Sequence, residues 1–224
     1  MLPVLVRCYT FTRGEVMAKV LKGDFSQKQR LTIPQGSTEG PIPGYQLKLA
    51  VAFSDPLIWR TIQVPGNMTL AILHKVIQVC MGWDDTHTHQ FLVGKIFYQS
   101  GFGIKDMKEE LQYDENNFEL HQLEEGMQFI FTYLYDGGEG WELEITLEET
   151  IRTGLGHDFP VLIGGERACP PAEVGDVHQY QKLLNDAEAG GRTNRLDLNL
   201  PLMEDFDPDS FDLKALKGQL SLIK

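Results

Sequence analysis

Cysteine is scarce in this chain of 224 residues: Cys8, Cys80 and Cys169 are its three. Being odd in number and widely separated, they suggest neither a disulfide framework nor a paired-cysteine zinc site. They read as small buried or free thiols, with Cys169, in a Gly/Pro loop, the most exposed. No apolar run approaches the roughly 18 residues that would span a bilayer. The start, Met1-Leu2-Pro3-Val4, lacks the basic-then-apolar order of a secretory signal, so a cytoplasmic protein is expected. Internal repeats and low-complexity tracts are absent as well. The chain has no phosphate-binding Gly-Lys-Ser/Thr loop, no Gly-x-Ser-x-Gly elbow and no zincin helix, so the chemistries that those motifs carry have no foothold.

Positive charge is the other shortage, with 20 Lys and Arg against 32 Asp and Glu and a formal net charge of −12. The imbalance is uneven, because residues 1–135 carry 12 basic and 14 acidic side chains and residues 136–224 carry 8 and 18. A field of that sign repels phosphate backbones, which disfavours general nucleic-acid binding. Its usual explanation is plain solubility, and the sharper reading is a basic protein partner or an inhibitor that mimics the charge of DNA.

What is present is periodicity. Residues 1–40 close on the breaker-rich run Pro34-Gln35-Gly36-Ser37-Thr38-Glu39-Gly40-Pro41 and are expected to be an N-terminal extension, with residues 41–224 forming one domain. Tyr45, Leu47, Leu49, Val51 and Phe53 alternate with smaller or polar neighbours. After the turn Ser54-Asp55-Pro56, Ile58, Arg60, Ile62 and Val64 share a face, which predicts an antiparallel hairpin. Leu70, Leu73, His74, Ile77, Cys80 and Met81 recur at helical spacing between an N-cap at Asn67 or Thr69 and the stop at Gly82. His87, His89, Phe91 and Val93 then alternate on a short strand. Phe129, Phe131, Tyr133 and Tyr135 lead into the turn Asp136-Gly137-Gly138-Glu139-Gly140. Trp141, Leu143, Ile145 and Leu147 lead out of it, with Glu142, Glu144 and Glu148 on the opposite face. Further helices are expected around Val177, Tyr180, Leu183 and Leu184, and from Asp207-Pro208 through Phe211, Leu213, Leu216 and Leu220. The pattern is α+β: a mixed, largely antiparallel sheet with a covering helix, a β-grasp-like strand-strand-helix-strand order, and C-terminal helices.

Several motifs in order carry a family resemblance. They are Tyr45-Gln46-Leu47-Lys48-Leu49, Ile58-Trp59-Arg60, Leu73-His74, Gly82-Trp83 with His87-Thr88-His89-Gln90-Phe91, Tyr135 through Trp141, Gly165-Glu166-Arg167-Ala168-Cys169-Pro170-Pro171, and Phe206-Asp207-Pro208. From about Gly44 to Leu220 the chain resembles the plasmid pRiA4b ORF-3-like family, which implies an association with mobile or plasmid-borne elements but no reaction. At the late turn it departs from the family pattern, with Gly137 where an aromatic is usual and Glu139 where an aspartate is. Some relatives carry a resolvase label. This chain lacks a nucleophilic serine beside clustered arginines, so that chemistry is not expected of it.

The residues that could do chemistry gather at one end of the expected sheet. His87 and His89, on one side of a strand, could share a divalent metal with Asp84, Asp85, Asp136 or Glu139. No other cofactor is implied. Arg60, on a buried face, needs a partner, for which Asp136 or Glu139 is the expectation. The alternative is an anion-binding arginine in a pocket of Trp59, Trp83, Tyr135 and Trp141. His74 lies on an apolar stripe and reads first as a hydrogen-bonded core histidine. Arg167, projecting from its loop, is a candidate recognition element. These readings favour a non-catalytic binding or regulatory module for a protein partner. The alternative from another class is a metal-assisted hydrolase using His87 and His89 with Asp136 or Glu139.

Overall fold

Tyr45, Leu47, Leu49 and Val51 are wholly buried along strand β1 (Gly44–Val51), so the period-two pattern delivers its inner face. The computed structural model describes residues 41–100, 112–137, 140–153, 155, 160–188 and 206–223. The expectations for residues 1–40 and for Glu139 fall outside them. β1 pairs antiparallel with β2 (Trp59–Pro65), Leu47 standing opposite Ile62. Phe53 does not join the inner face. The Ser54 hydroxyl donates to Val51 O at 2.9 Å and accepts from Ile58 N at 3.0 Å, which closes the turn. Phe53, at φ 61°, is thereby left 76% exposed.

Helix α1 (Leu70–Met81) begins where Thr69 accepts from Ile72 N and ends at Gly82, whose φ of 70° suits glycine. Its buried stripe includes Leu70, Leu73, His74, Ile77 and Cys80. The helix lies across the sheet. Its C-terminal end meets Arg60 of β2, and its middle meets Tyr133 of β6 (Phe131–Tyr135).

The remaining strands are β3 (His89–Val93), β4 (Ile96–Gln99), β5 (Gln112–Asp114), β7 (Trp141–Ile151) and β8 (Val161–Glu166). They form one eight-stranded sheet in the order β5-β4-β3-β6-β7-β1-β2-β8, antiparallel throughout except for the β4–β5 pair. The strand-strand-helix-strand order is therefore present in an α+β fold. Along β7, Trp141, Leu143 and Ile145 are buried while Glu142 and Glu144 face solvent, which is the alternation of a sheet with one covered face. Phe129 lies outside β6 and is 82% exposed, because its N–H still closes the turn of α2 (Glu124–Met127) on Gly126 O.

Among the described residues two C-terminal helices follow, α3 (Val177–Glu188) and α4 (Leu213–Leu220), the latter packed on β8 and α1. α4 does not begin at Asp207. That side chain instead accepts from Asp209 N in a local turn, and Asp212 caps the helix by accepting from Ala215 N at 2.9 Å. β8 was not legible either, since Gly164-Gly165 reads as a loop. Gly165 is needed because a Cβ there would lie 2.7 Å from both Arg60 Cδ and Phe211 Cζ and 2.8 Å from Trp59 O. No helix among the described residues is long and apolar enough to cross a membrane.

Gly165→Ala should therefore overpack the β2–β8 seam. It should lower the urea midpoint by an amount equivalent to about 1–3 kcal/mol, read by circular dichroism.

Candidate functional site

The polar groups that the fold brings together lie where α1, the segment after it and the β3–β6 pair meet. His74, 4% exposed on α1, stacks face to face on His89 of β3, with ring centroids 3.5 Å apart and planes 3° from parallel. Each ring meets a carboxylate through Nε2: His74 to Asp85 Oδ1 at 2.7 Å, and His89 to Glu115 Oε2 at 2.8 Å. Glu115, 3% exposed, opens the short 3-10 turn after β5. Asp85 sits in the left-handed region at φ 59°, and its N–H donates to Gln78 Oε1 at 3.0 Å.

That bond orients the Gln78 amide, so its NH2 end donates to Tyr133 Oη at 2.8 Å. The Tyr133 hydroxyl, 2.8 Å from His74 Nδ1, is then the donor to that nitrogen. A carboxylate can only accept, so the neutral His74 carries its proton on Nε2, and neutral His89 does likewise toward Glu115. Burial, followed by the neighbouring His89, holds the His74 imidazole below its ordinary pKa, against the opposing hydrogen bond to Asp85. Burial also pushes the Tyr133 hydroxyl well above the usual tyrosine range, so it remains a donor.

The pairing expected for His87 and His89 is not what forms. His87 lies before β3, and its Nδ1 is 3.5 Å from Asp136 Oδ1, while its ring meets the edge of Tyr135. His89 turns inward to His74. Trp83 stacks on Tyr135 with centroids 4.9 Å apart and lies 6.0 Å from Trp141, so these three aromatics do cluster. Their indole N–H groups are occupied, Trp83 donating to Pro170 O and Trp141 to Ala172 O. Trp59 stands apart, bonded to Glu166 and covered by Lys48.

Arg60, 2% exposed, pairs with no carboxylate among the described residues. Its Nε donates to Cys80 O, one terminal nitrogen to Trp59 O and Glu166 O, and the other to Arg167 O, at 2.7–3.1 Å. Four of the five donors of a guanidinium are thus engaged, and its face packs on Phe211 with 4.5 Å from Cζ to the ring centroid. Asp136 is not its partner. Burial lowers the Arg60 pKa, and the carbonyl dipoles supply what a counter-charge would. Arg167, at φ 68°, turns its carbonyl to Arg60 and its own side chain to Asp209 at 2.8 Å.

Beside Arg60 opens a cleft of about 410 Å³ between the end of α1, the 168–173 loop and the 210–216 stretch. Met81, Trp83, Phe211 and Leu216 give it apolar lining, and Asp84, Glu173 and Asp212 contribute its acids. Sequence reasoning found His74, Asp85, His89, Trp83 and Arg60 but missed Gln78, Glu115 and Tyr133 as partners. Gln78 follows His74 by four residues on the same helix face, a spacing that could have flagged it. Glu115 has no periodic context and gave no signal.

A largely antiparallel α+β sheet with a His/carboxylate cluster beneath its covering helix is thus the class of protein that fold and site define. The chain belongs to the plasmid pRiA4b ORF-3-like protein family, whose model matches residues 43–215. It is 32% identical over 139 residues to the uncharacterized protein y4hQ of Sinorhizobium fredii (strain NBRC 101917 / NGR234), covering 61% of this chain and 69% of that one. It is also similar to the crystal structure of a protein of unknown function, MM3350, from Methanosarcina mazei Go1. That match has a TM-score of 0.65 and 30% identity, and it covers 78% of this chain and 98% of the other.

Two outcomes follow from this geometry. Arg60→Lys keeps the charge but cannot reach four carbonyls, so it should destabilise the fold by about 2–4 kcal/mol in urea titration. Burial pushes the Cys80 and Cys169 thiols from 9.0 up to about 12, and the Cys169 sulfur turns inward to Met81 Sδ at 3.5 Å. In a Cys8→Ser background a thiol reagent at pH 8 should therefore find both unreactive until denaturant is added. Because unfolded thiols ionise first, the stability these two contribute is complete below about pH 9 and declines as pH rises toward 12.

Proposed function

We propose that this chain is a non-catalytic binding module that recognises a basic segment of a protein partner. The observation that carries this reading is the cleft beside Arg60, which joins apolar lining from Trp83, Met81, Phe211 and Leu216 to the carboxylates of Asp84, Glu173 and Asp212. Its volume of about 410 Å³ is within the range of ligand sites, and its composition suits a cationic side chain with an apolar stem. The net charge of −12 extends the attraction beyond the cleft and steers a basic partner toward it. The Arg60 guanidinium does not oppose this, because its donors are taken up by main-chain oxygens. A protein partner fits the acidic second half better than nucleic acid does. Association with mobile or plasmid-borne elements is what the family's name supports.

The test uses fluorescent peptides of one length, graded from acidic to basic and each carrying one large apolar residue, titrated into the full chain by anisotropy. Basic peptides should bind selectively. Their affinity should fall about tenfold or more in the Asp84→Asn/Glu173→Gln/Asp212→Asn variant and should weaken as salt rises. The last of these changes preserves the start of α4, since asparagine serves as an N-cap as well as aspartate does. Equal binding of acidic and basic peptides, or an unchanged affinity in the variant, would overturn the reading. If double-stranded DNA competes with the chain for a basic DNA-binding protein while the peptides do not bind, the charge-mimic alternative stands instead.

A further inference from the structure

The histidine stack is more than a core hydrogen-bond network, and we infer that His74, Asp85 and His89 form a binding site for one divalent transition-metal ion. One ligand atom from each of the three lies within 4.8 Å of the others. The set, two imidazoles and a carboxylate, is the donor chemistry of zinc and its neighbours rather than of calcium or magnesium.

Three further observations separate this cluster from a merely satisfied core. The first concerns the outer partners. Glu115, itself buried, takes the Nε2–H of His89, which is the carboxylate–histidine arrangement that orients metal-binding imidazoles and leaves Nδ1 as the nitrogen with a lone pair. No group among the described residues hydrogen-bonds to that Nδ1. Tyr133 plays the same part for His74, since its hydroxyl oxygen can accept from Nδ1–H once Nε2 binds the ion in place of a proton.

The second concerns access. The His74 and His89 side chains are 5% and 9% exposed, whereas that of Asp85 is 55% exposed, so an ion enters from the Asp85 side and keeps water there as a further ligand. The third is backbone conformation. Asp85, a non-glycine residue at φ 59°, is held there by its N–H bond to Gln78, and the result aims its carboxylate at His74.

Loading must rearrange the groups, parting His74 Nε2 from Asp85 Oδ1, now 2.7 Å apart, while closing the widest gap in the set. Donors around a tetrahedral ion at about 2.1 Å lie about 3.4 Å apart, closer than the 4.8 Å within which the three atoms now lie. Parallel stacked rings also aim their lone pairs side by side, so the rings must tilt out of the stack as the ion binds. Both the His74 and His89 resonances should therefore move together on loading. The site differs from the pairing of His87 with His89 expected from the strand pattern, because His87 faces Asp136 instead.

The experiment is isothermal titration of zinc into the full chain after chelator treatment, alongside ring-nitrogen NMR of its histidines. Near-stoichiometric binding is expected, with shifts in His74 and His89. Asp85→Asn should weaken binding about tenfold or more, its outward side chain and asparagine's tolerance of positive φ keeping the fold intact by circular dichroism. His89→Ala should abolish binding, and His87→Ala should leave it unchanged. No zinc binding to the native chain, or binding that survives Asp85→Asn but is lost in His87→Ala, would overturn the assignment. The peptide titration is independent of this result, since no ligand of the ion lines the cleft.

Discussion

The guanidinium of Arg60 is the constraint on which the arrangement of this protein depends. A cation with 2% exposure and no carboxylate partner among the described residues is costly to bury, and it is tolerated because oxygens replace its water. Those oxygens come from Trp59 in β2, Cys80 at the end of α1, Glu166 at the end of β8 and Arg167 just beyond it. One rigid, planar group thus sets the distance from the covering helix to two strands. Phe211, packed on its face, brings in the stretch leading to α4. The cleft opens beside this junction, with Arg60 among its lining residues.

The segment between α1 and β3 works on both sides. Trp83 and Asp84 reach the cleft, Asp85 turns back to His74, His87 meets Asp136, and His89 enters the sheet. Gly82 makes this reversal easy and Asp85 makes it directional, since the first residue has φ 70° and the second 59°. Asp84, which lines the cleft, and Asp85, which meets the histidine stack, are thus neighbours in the chain that face different ways.

How far the site could be read depended on the kind of partner each residue found. Alternation and helical spacing express local backbone geometry, so β1, β2, α1 and the β6–β7 hairpin were legible, with the stop at Gly82 and an N-cap left between Asn67 and Thr69 that the structure gives to Thr69. Arg60 was recognised as buried and in need of a partner, yet the partner was sought by charge at Asp136. The strand order β6-β7-β1-β2 puts three inter-strand steps, about 14 Å, between β2 and the strand leading to that residue. Main-chain carbonyls have no side-chain signature, and they supplied the answer. Likewise, β8 was hidden because Gly165 is there for the close approach of Arg60 and Phe211, a tertiary reason that looks locally like a loop.

The order of residues, acting through hydrophobic periodicity, caps and charge, determined an acidic α+β chain with an aromatic hairpin and a covering helix bearing His74. It could not determine which histidine would meet which. That choice was made by the antiparallel register that sets His89 opposite Tyr135, two residues along β6 from the Tyr133 that meets His74, and by the packing of α1 across β6. The buried Glu115 then arrives from a stretch without pattern. Such contacts form between segments distant in the chain, where burial of a shared surface rather than the spacing of neighbours fixes the geometry.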